Sequence, residues 1–282
     1  VIQRCRSEYP VKLMCRCLNV CTSGYYAWTT RGPSVRARAN RRRVDRMREI
    51  HAESDRVIGA PRRHETLTYE GERVGRHRVA RLMAADGLYG LPQCRRWRRK
   101  ASGRRPVPVG NHVNRDFSAA EPNTRCATDI TYIRTAEAWL YLCVVIDLYS
   151  RAVVGWSMSR RQDRQLVRSA VLMALWQRDS AEEPVVLHSD RGTQFTSGEY
   201  QAFLADHNLV CSMSALGHCG DNAAVESFFG MLKRERVNRR RYQRIAEART
   251  DVFDYIEVFY NRARRHSHLG DVSPEAFEQA SQ

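Results

Sequence analysis

The chain has 282 residues, with 47 Lys+Arg against 31 Asp+Glu and a formal net charge of +16. That length allows about two domains and buries enough surface to fold without disulfide staples. No apolar run reaches the roughly 20 residues needed to cross a bilayer. The N-terminus, with Arg4, Arg6, Glu8 and Lys12 scattered through it, lacks the apolar core of a signal peptide, so a soluble, cytoplasmic protein is expected. The charge is uneven. Residues 1–110 hold 26 Lys+Arg and 9 Asp+Glu, net +17, whereas residues 111–282 hold 21 and 22, net −1. A positive field of that size recruits polyanions and makes their binding salt-dependent. All basic residues except Lys12, Lys100 and Lys233 are arginines, which suit bidentate phosphate contacts. Nine cysteines, an odd count, argue against a disulfide framework. Cys15, Cys17 and Cys21 cluster without a nearby fourth ligand, so packed thiols are expected rather than zinc.

Taken in chain order, Val11, Met14, Cys15 and Leu18 fall on one helix face. Thr22 or Ser23 is placed to cap a short helix carrying Tyr25, Tyr26 and Trp28. A very basic helix runs from Arg36 to about Ile50, although a solvated surface helix has the same composition. Residues 56–90 read as a helix, a turn at Gly71, and a second helix from about Gly75 to Asp86, with Gly87 closing it. Val79, Leu82 and Met83 form the buried face of that second helix; His77, Arg78 and Arg81 project away from it, as in a helix-turn-helix reader of DNA. An ordinary helical hairpin has the same pattern. Residues 94–110 combine an Arg-rich run with Gly103, Pro106, Pro108 and Gly110, marking a basic linker and a domain boundary.

Beyond residue 120 the texture changes. Strands are expected at 125–134, 139–147, 152–159, 184–190 and 209–214, with helices at 163–177 and 197–208. Asp221 is placed to cap a helix running to about Val237. A long helix then carries Ile245, Val252, Ile256 and Phe259 on one face, and Ser273-Pro274 opens a short last helix. This order is that of an α/β sheet flanked by helices.

Three carboxylates stand out on this scaffold. Asp129 lies inside the first strand, Asp190 ends the fourth, and Glu226 lies near the start of the following helix, with 35 residues between the last two. Hard divalent cations take oxygen ligands, and two-metal phosphodiester chemistry needs several carboxylates at one point. Glu226 sits at the edge of the stripe Val225, Phe228, Phe229, Leu232, free to face a cleft. Lys233, two turns on and on the same side, is suited to hold a DNA phosphate. Asp147 also ends a strand and is an alternative to Asp129; His188 is expected to be a packed, hydrogen-bonded histidine.

The runs Ala127-Thr128-Asp129-Ile130-Thr131-Tyr132, His188-Ser189-Asp190-Arg191-Gly192-Thr193-Gln194-Phe195 and Asp221-Asn222-Ala223-Ala224-Val225-Glu226-Ser227-Phe228-Phe229 resemble the catalytic motifs of bacterial insertion-sequence transposases of the IS-three group, downstream-frame type. The tail from Tyr260 to Gly270 and the N-terminal runs Ser23 to Trp28 and Arg78 to Met83 resemble the same family. Cys126 stands where an aromatic residue is usual, a difference of packing.

The resemblance implies an RNase H-like catalytic core, with a mixed five-stranded sheet flanked by helices, behind an α-helical N-terminal helix-turn-helix region. It implies a helical DNA-binding region at 1–93, a basic linker at 94–120, a DDE core at 121–240 and a helical extension at 241–282. It also implies Mg²⁺, with Mn²⁺ as a substitute, held by Asp129, Asp190 and Glu226, and DNA strand cleavage and transfer at the element's terminal inverted repeats. Arg78, Arg81 and Lys233 would contact DNA. A homo-oligomer on DNA and an upstream-frame partner protein are further expectations, the chain resembling the downstream product of a frameshift fusion. The alternatives are an inactive DNA-binding regulator of element ends and an RNase H-type nuclease.

Overall fold

The structure is a computed structural model that describes residues 1–91, 119–178, 183–190, 192, 194–213 and 222–281. It divides into two units, Val1–Gly90 and Leu91–Gln282. The linker expected at 94–120 lies almost wholly outside the described residues.

Six helices build the first unit: α1 (Ile2–Cys5), α2 (Val11–Cys17), α3 (Thr22–Thr30), α4 (Val35–Glu53), α5 (Ala60–Tyr69) and α6 (Arg76–Ala85). The Ser34 hydroxyl caps α4 by accepting from the Ala37 N–H at 3.1 Å. The cap expected for α3 differs: Thr22 is already helical, Cys21 precedes it, and no side chain bonds the helix start. The helix expected from residue 56 begins at Ala60, because Asp55 and Arg56 take left-handed φ of 49° and 63° and Pro61 suits a first turn. Gly71, φ +87°, turns α5 into α6, a conformation that costs other residues a Cβ clash.

Met47, Ile50, Leu67, Val74, Val79 and Met83 close one core of this unit. Ion pairs fasten α4 around it: Arg43 to Glu72 at 2.8 Å, Arg46 to Glu70 at 2.6 Å and Arg48 to Asp86 at 2.6 Å. Part of the basic run is therefore structural. Arg36, Arg38, Arg41 and Arg42 remain exposed.

The second unit holds a five-stranded sheet of β1 (Arg125–Arg134), β2 (Trp139–Asp147), β3 (Val153–Ser159), β4 (Val185–Ser189) and β5 (Leu209–Met213), in the order β3-β2-β1-β4-β5. The first three strands pair antiparallel, as short hairpin connections allow; β4 and β5 join parallel to β1, each after a helical crossover. β1 thus lies at the centre.

One face is covered by α7 (Arg164–Gln177) and α8 (Gly198–Asp206), whose Val167, Ala170, Val171, Tyr200 and Leu204 pack with Cys143, Val145 and Val154. The other is covered by α9 (Ala223–Glu235) and α10 (Ile245–Phe253), whose Val225, Phe228, Leu232 and Val252 pack with Ala127, Leu142, Val144 and Ile146. A short helix, α11 (Pro274–Gln279), closes the chain with Ser273 as its cap.

Gly155 lets α7 rest directly on β3. A Cβ there would meet the Ala170 carbonyl oxygen at 2.3 Å and the Ala174 backbone nitrogen at 2.7 Å. Gly155→Ala is therefore expected to cost about 1–3 kcal/mol, the usual range for overpacking, in a urea-unfolding titration.

The long helix expected beyond Ile245 is not uniform. At Asp254 it passes into a π-helical stretch, Asp254–Tyr260, marked by the Asn261 N–H donating to the Ile256 carbonyl at 3.0 Å. The wider turn brings Tyr255 and Tyr260, five residues apart, into one core. Periodicity of 3.6 does not reveal this, because the apolar positions satisfy an ordinary helix as well.

Candidate active site

The parallel register pairs Ala127 of β1 with His188 of β4. Two residues further along, Asp129 in the middle of β1 comes beside Asp190, the residue that follows the carboxyl end of β4. A crevice commonly opens at such a point in α/β sheets. Asp129 shares its sheet face with Ala127, whose side chain packs in the α9 core, so it faces the helix that carries Glu226. α9 is tied to β1 beside it: the buried Asn222 amide donates to the Thr128 carbonyl at 3.0 Å. The cap expected at Asp221 lies outside the described residues.

Charge links the three acids. Burial, then the charges of Asp190 and Glu226, push the Asp129 carboxyl up to about 7, against an Ile130 N–H donating at 2.7 Å and the cation of Lys233, which pull it down. Asp190 is exposed and accepts the Gly192 N–H at 2.9 Å. A Cβ on Gly192 would come within 3.0 Å of Asp190 Oδ1 and Gln194 Oε1, so the glycine lets the loop close around this carboxylate. Among the described residues no three His, Cys, Asp or Glu side chains already converge as a metal-ligand set. The acids nonetheless share one electrostatic field. In donor chemistry they are all hard oxygens, the kind Mg²⁺ takes.

Lys233 is half-buried. Its Nζ lies 4.6 Å from the centre of the Tyr132 ring, and burial lowers its pKa while Asp129 raises it. It therefore belongs to the same electrostatic site. Asp147 does not. It pairs in register with Cys126, three residues before Asp129 and so on the opposite sheet face. There it is fully buried and accepts the Tyr149 N–H at 2.9 Å, bracing the turn after β2. Burial raises its pKa, and the charged groups that act on it are Arg178 and Glu278, not the triad. His188 is buried, with its Nδ1 2.9 Å from the Ser212 hydroxyl.

In the first unit Arg81 is exposed on α6. Arg78 is half-buried, and its Nε and Nη2 both donate to Asn40 Oδ1 at 3.1 and 2.7 Å. The expected outward projection thus holds for Arg81 more fully than for Arg78. Of the clustered cysteines, Cys15 is buried with Ile2 and Tyr25, while Cys17 and Cys21 are exposed.

Residues 119–219 and 226–281 match two family models, both described as integrase core domain, and residues 38–100 match an HTH-like domain. The chain is 43% identical over 280 residues to the transposase InsF of insertion sequence IS3A from Escherichia coli K12, covering 98% of this chain and 96% of that one. The chain belongs to the IS3 family of insertion-sequence transposases. The transposase is also 37% identical over 269 residues to an uncharacterized 31 kDa protein of insertion element IS600 from Shigella sonnei, covering 94% and 97% of the two chains. Among solved structures, it resembles a chain of the simian T-cell lymphotropic virus intasome, with a TM-score of 0.48, 17% identity and coverage of 82% and 73%. The HTLV-2 integrase catalytic core in complex with magnesium aligns with a TM-score of 0.43, 20% identity and coverage of 56% and 98%. The transposase thus joins an HTH-like N-terminal domain to an RNase H-like integrase core, whose strand order and mixed pairing are those described above.

Sequence reasoning missed two positioning residues of this site. Asn222 carries the bond that joins α9 to β1, and only its place beside Asp221 in the third motif marks it. Glu235, the last residue of α9, reads as one more helix-end charge, yet it is buried in an ion pair with Arg264.

Proposed function

We propose that Asp129, Asp190 and Glu226 hold divalent metal, Mg²⁺ with Mn²⁺ as a substitute, and that the transposase cuts and rejoins DNA at the ends of its element. The observation that carries this is the shared field of the triad: a half-buried Asp129 raised to about 7 by burial and by the charges of Asp190 and Glu226. The bound metal would supply a Lewis acid for the attacking and leaving oxygens. Asp129 comes from the middle of the central strand β1 and Asp190 from the end of the neighbouring β4, which makes two of the three ligands rigid. Glu226 comes from α9, held against β1 by Asn222. Lys233 holds a phosphate of the bound strand beside the acids.

In the first step water attacks the phosphodiester at the element end, and the strand 3′-oxygen leaves and takes up a proton. In the second, that 3′-hydroxyl gives up its proton and attacks a phosphodiester of the target, and the target's own 3′-oxygen leaves and takes up a proton. One bond forms and one breaks each time.

Around this core the reading assigns residues 1–93 to recognition of the terminal inverted repeats, with Arg78 and Arg81 meeting double-stranded DNA from α6. Residues 94–120 are assigned to a basic linker, 121–240 to the core and 241–282 to its helical extension. Several copies acting on paired ends, an upstream-frame partner and a cytoplasmic site of action belong to the same reading.

The test is nicking of a labelled duplex that carries an element end. Wild type is expected to cut in Mg²⁺ and not in chelator, and Asp190→Asn and Glu226→Gln to bind the duplex without cutting. Cutting that survives both substitutions overturns the triad assignment. Specific binding by wild type without any nicking would instead make the chain a regulator that occupies element ends.

A further inference from the structure

A cleft of about 730 Å³ opens beyond Lys233, on the side of the core away from Glu226 along α9. Its walls include Tyr132, Arg134, Trp139, Lys233, Arg240 and Arg241, and no acidic side chain lines it among the described residues. One wall is the β1–β2 hairpin, the other the segment that follows α9. The two are fastened together. The Ala136 N–H donates to the Tyr242 carbonyl at 2.9 Å, Thr135 bridges Tyr242, and the Ile245 N–H donates to Glu137 Oε2 at 3.0 Å. The cleft is therefore built before any ligand arrives.

Its contents are unusual for a protein surface. Trp139 is 46% exposed and Tyr132 57% exposed, their rings perpendicular with centres 5.2 Å apart. Lys233 covers one face of Tyr132, which leaves Trp139 as the open platform. Arg240 is paired with Asp251 behind the wall. Arg134 and Arg241 are exposed and paired with no carboxylate among the described residues. Large flat rings next to uncompensated guanidinium groups are what single-stranded nucleic acid requires: a base stacks on the ring while the phosphates meet the cations. Paired bases hide their faces inside the duplex, so a duplex would use the arginines and leave the rings idle.

We propose that this cleft binds unpaired nucleotides of a DNA strand, one base stacked on Trp139 and the neighbouring phosphates held by Arg134 and Arg241. Lys233 belongs both to this cleft and to the field of Asp129, so the strand leads directly from the carboxylates. The place of that strand next to the cut bond rests on the reaction proposed above; the binding itself does not.

The test is photocrosslinking of the full chain, in chelator, to a twelve-nucleotide oligo-dT with 5-iododeoxyuridine at its centre. Crosslinked peptides are then mapped by mass spectrometry. Crosslinks are expected on Tyr132 and Trp139. Their yield should fall about tenfold in Trp139→Ala, the usual loss of one base–aromatic stack, and return in Trp139→Phe. In Arg134→Ala/Arg241→Ala the salt dependence of this crosslink should weaken by about 1.4 in log–log slope, about 0.7 for each lost phosphate contact. Unlabelled oligo-dT should compete far better than blunt duplex of equal length. Crosslinks confined to other parts of the chain, a yield unchanged by Trp139→Ala, or equal competition by duplex would each overturn the proposal. Cutting plays no part in this assay. Loss of nicking with the crosslink kept removes the reaction and leaves the cleft, and the reverse removes the cleft alone.

Discussion

Asp129→Asn is expected to abolish strand cutting and, at pH 8, to make the folded chain more stable than wild type. The loss of cutting should be on the order of 10³-fold or more, since members of a catalytic set that act as a unit fail together. The gain in stability follows from the same environment. The Asp129 carboxyl rises from the ordinary 3.8 to about 7 because burial, Asp190 and Glu226 all oppose its charge. Between those two values the folded chain binds more protons than the unfolded one. Its stability is therefore greatest below about pH 4 in this respect and declines as pH rises through about 7. At about 1.36 kcal/mol for each tenfold change, the charge costs the fold up to roughly 4 kcal/mol at pH 8. Asparagine keeps the oxygen that accepts the Ile130 N–H and removes the charge. Urea unfolding at pH 5 and pH 8 would measure this: wild type should lose stability between the two, and Asp129→Asn should lose much less. Mg²⁺ should stabilise wild type at pH 8 and not the variant. An asparagine variant that still cuts, or one less stable than wild type at pH 8, would contradict the placement of Asp129 among like charges.

The second large effect lies behind α9. Arg264 Nε and Nη2 donate to the two oxygens of Glu235 at 2.8 and 2.7 Å, and the Tyr255 hydroxyl donates to Oε2 at 2.8 Å. Glu235 and Arg264 are 1% and 3% exposed, so neither has water to fall back on. Burial on its own would raise the Glu235 pKa, but the Arg264 guanidinium and the Tyr255 hydroxyl outweigh it and hold the carboxyl below its ordinary value. Removing Arg264 leaves Glu235 buried with only the half-exposed Arg234 guanidinium, 3.0 Å from Oε1, and the Tyr255 hydroxyl to hold its charge, and breaking a buried pair costs up to about 3–5 kcal/mol. Arg264→Ala should therefore lower stability by about 2–4 kcal/mol in denaturant titrations, the remaining Arg234 contact offsetting part of the loss. Arg264→Met combined with Glu235→Leu should recover much of it, because no orphan charge remains. The contribution of Glu235 is complete above the ordinary carboxylate value and is lost as pH falls through its lowered one. Since α9 carries both Glu226 and Lys233, cutting should fall in Arg264→Ala even at temperatures where the chain stays folded. Equal stability of Arg264→Ala and wild type would contradict the buried pair.

Much of this protein was legible before any coordinates. The strands from 125 to 213 announced themselves by short apolar runs between turn residues, and α9 by the stripe Val225, Phe228, Phe229, Leu232. Three long motifs in fixed order carried the family, and the uneven charge carried the expectation of nucleic acid. Local chemistry moved some boundaries: left-handed Asp55 and Arg56 delay α5, and Thr22 enters α3 instead of capping it. Composition also overstated the free charge on α4, since Arg43, Arg46 and Arg48 each have a carboxylate partner far along the chain.

Asp129 and Asp147 are alike as sequence, both acids in strongly apolar strands. The sheet separates them, because antiparallel pairing puts Asp147 opposite Cys126 and odd spacing sends it to the other face from Asp129. The sequence alone determined most of the segments that form strands and helices and narrowed the candidate acids to a few, because period and composition are local properties. Only the tertiary structure decided that Asp129 neighbours Asp190, that Glu235 meets Arg264, that a π-turn brings Tyr255 and Tyr260 together, and that Trp139 shares a cleft with Arg241. Those are meetings of residues distant in the chain, set by strand order and helix packing, and no local pattern records them.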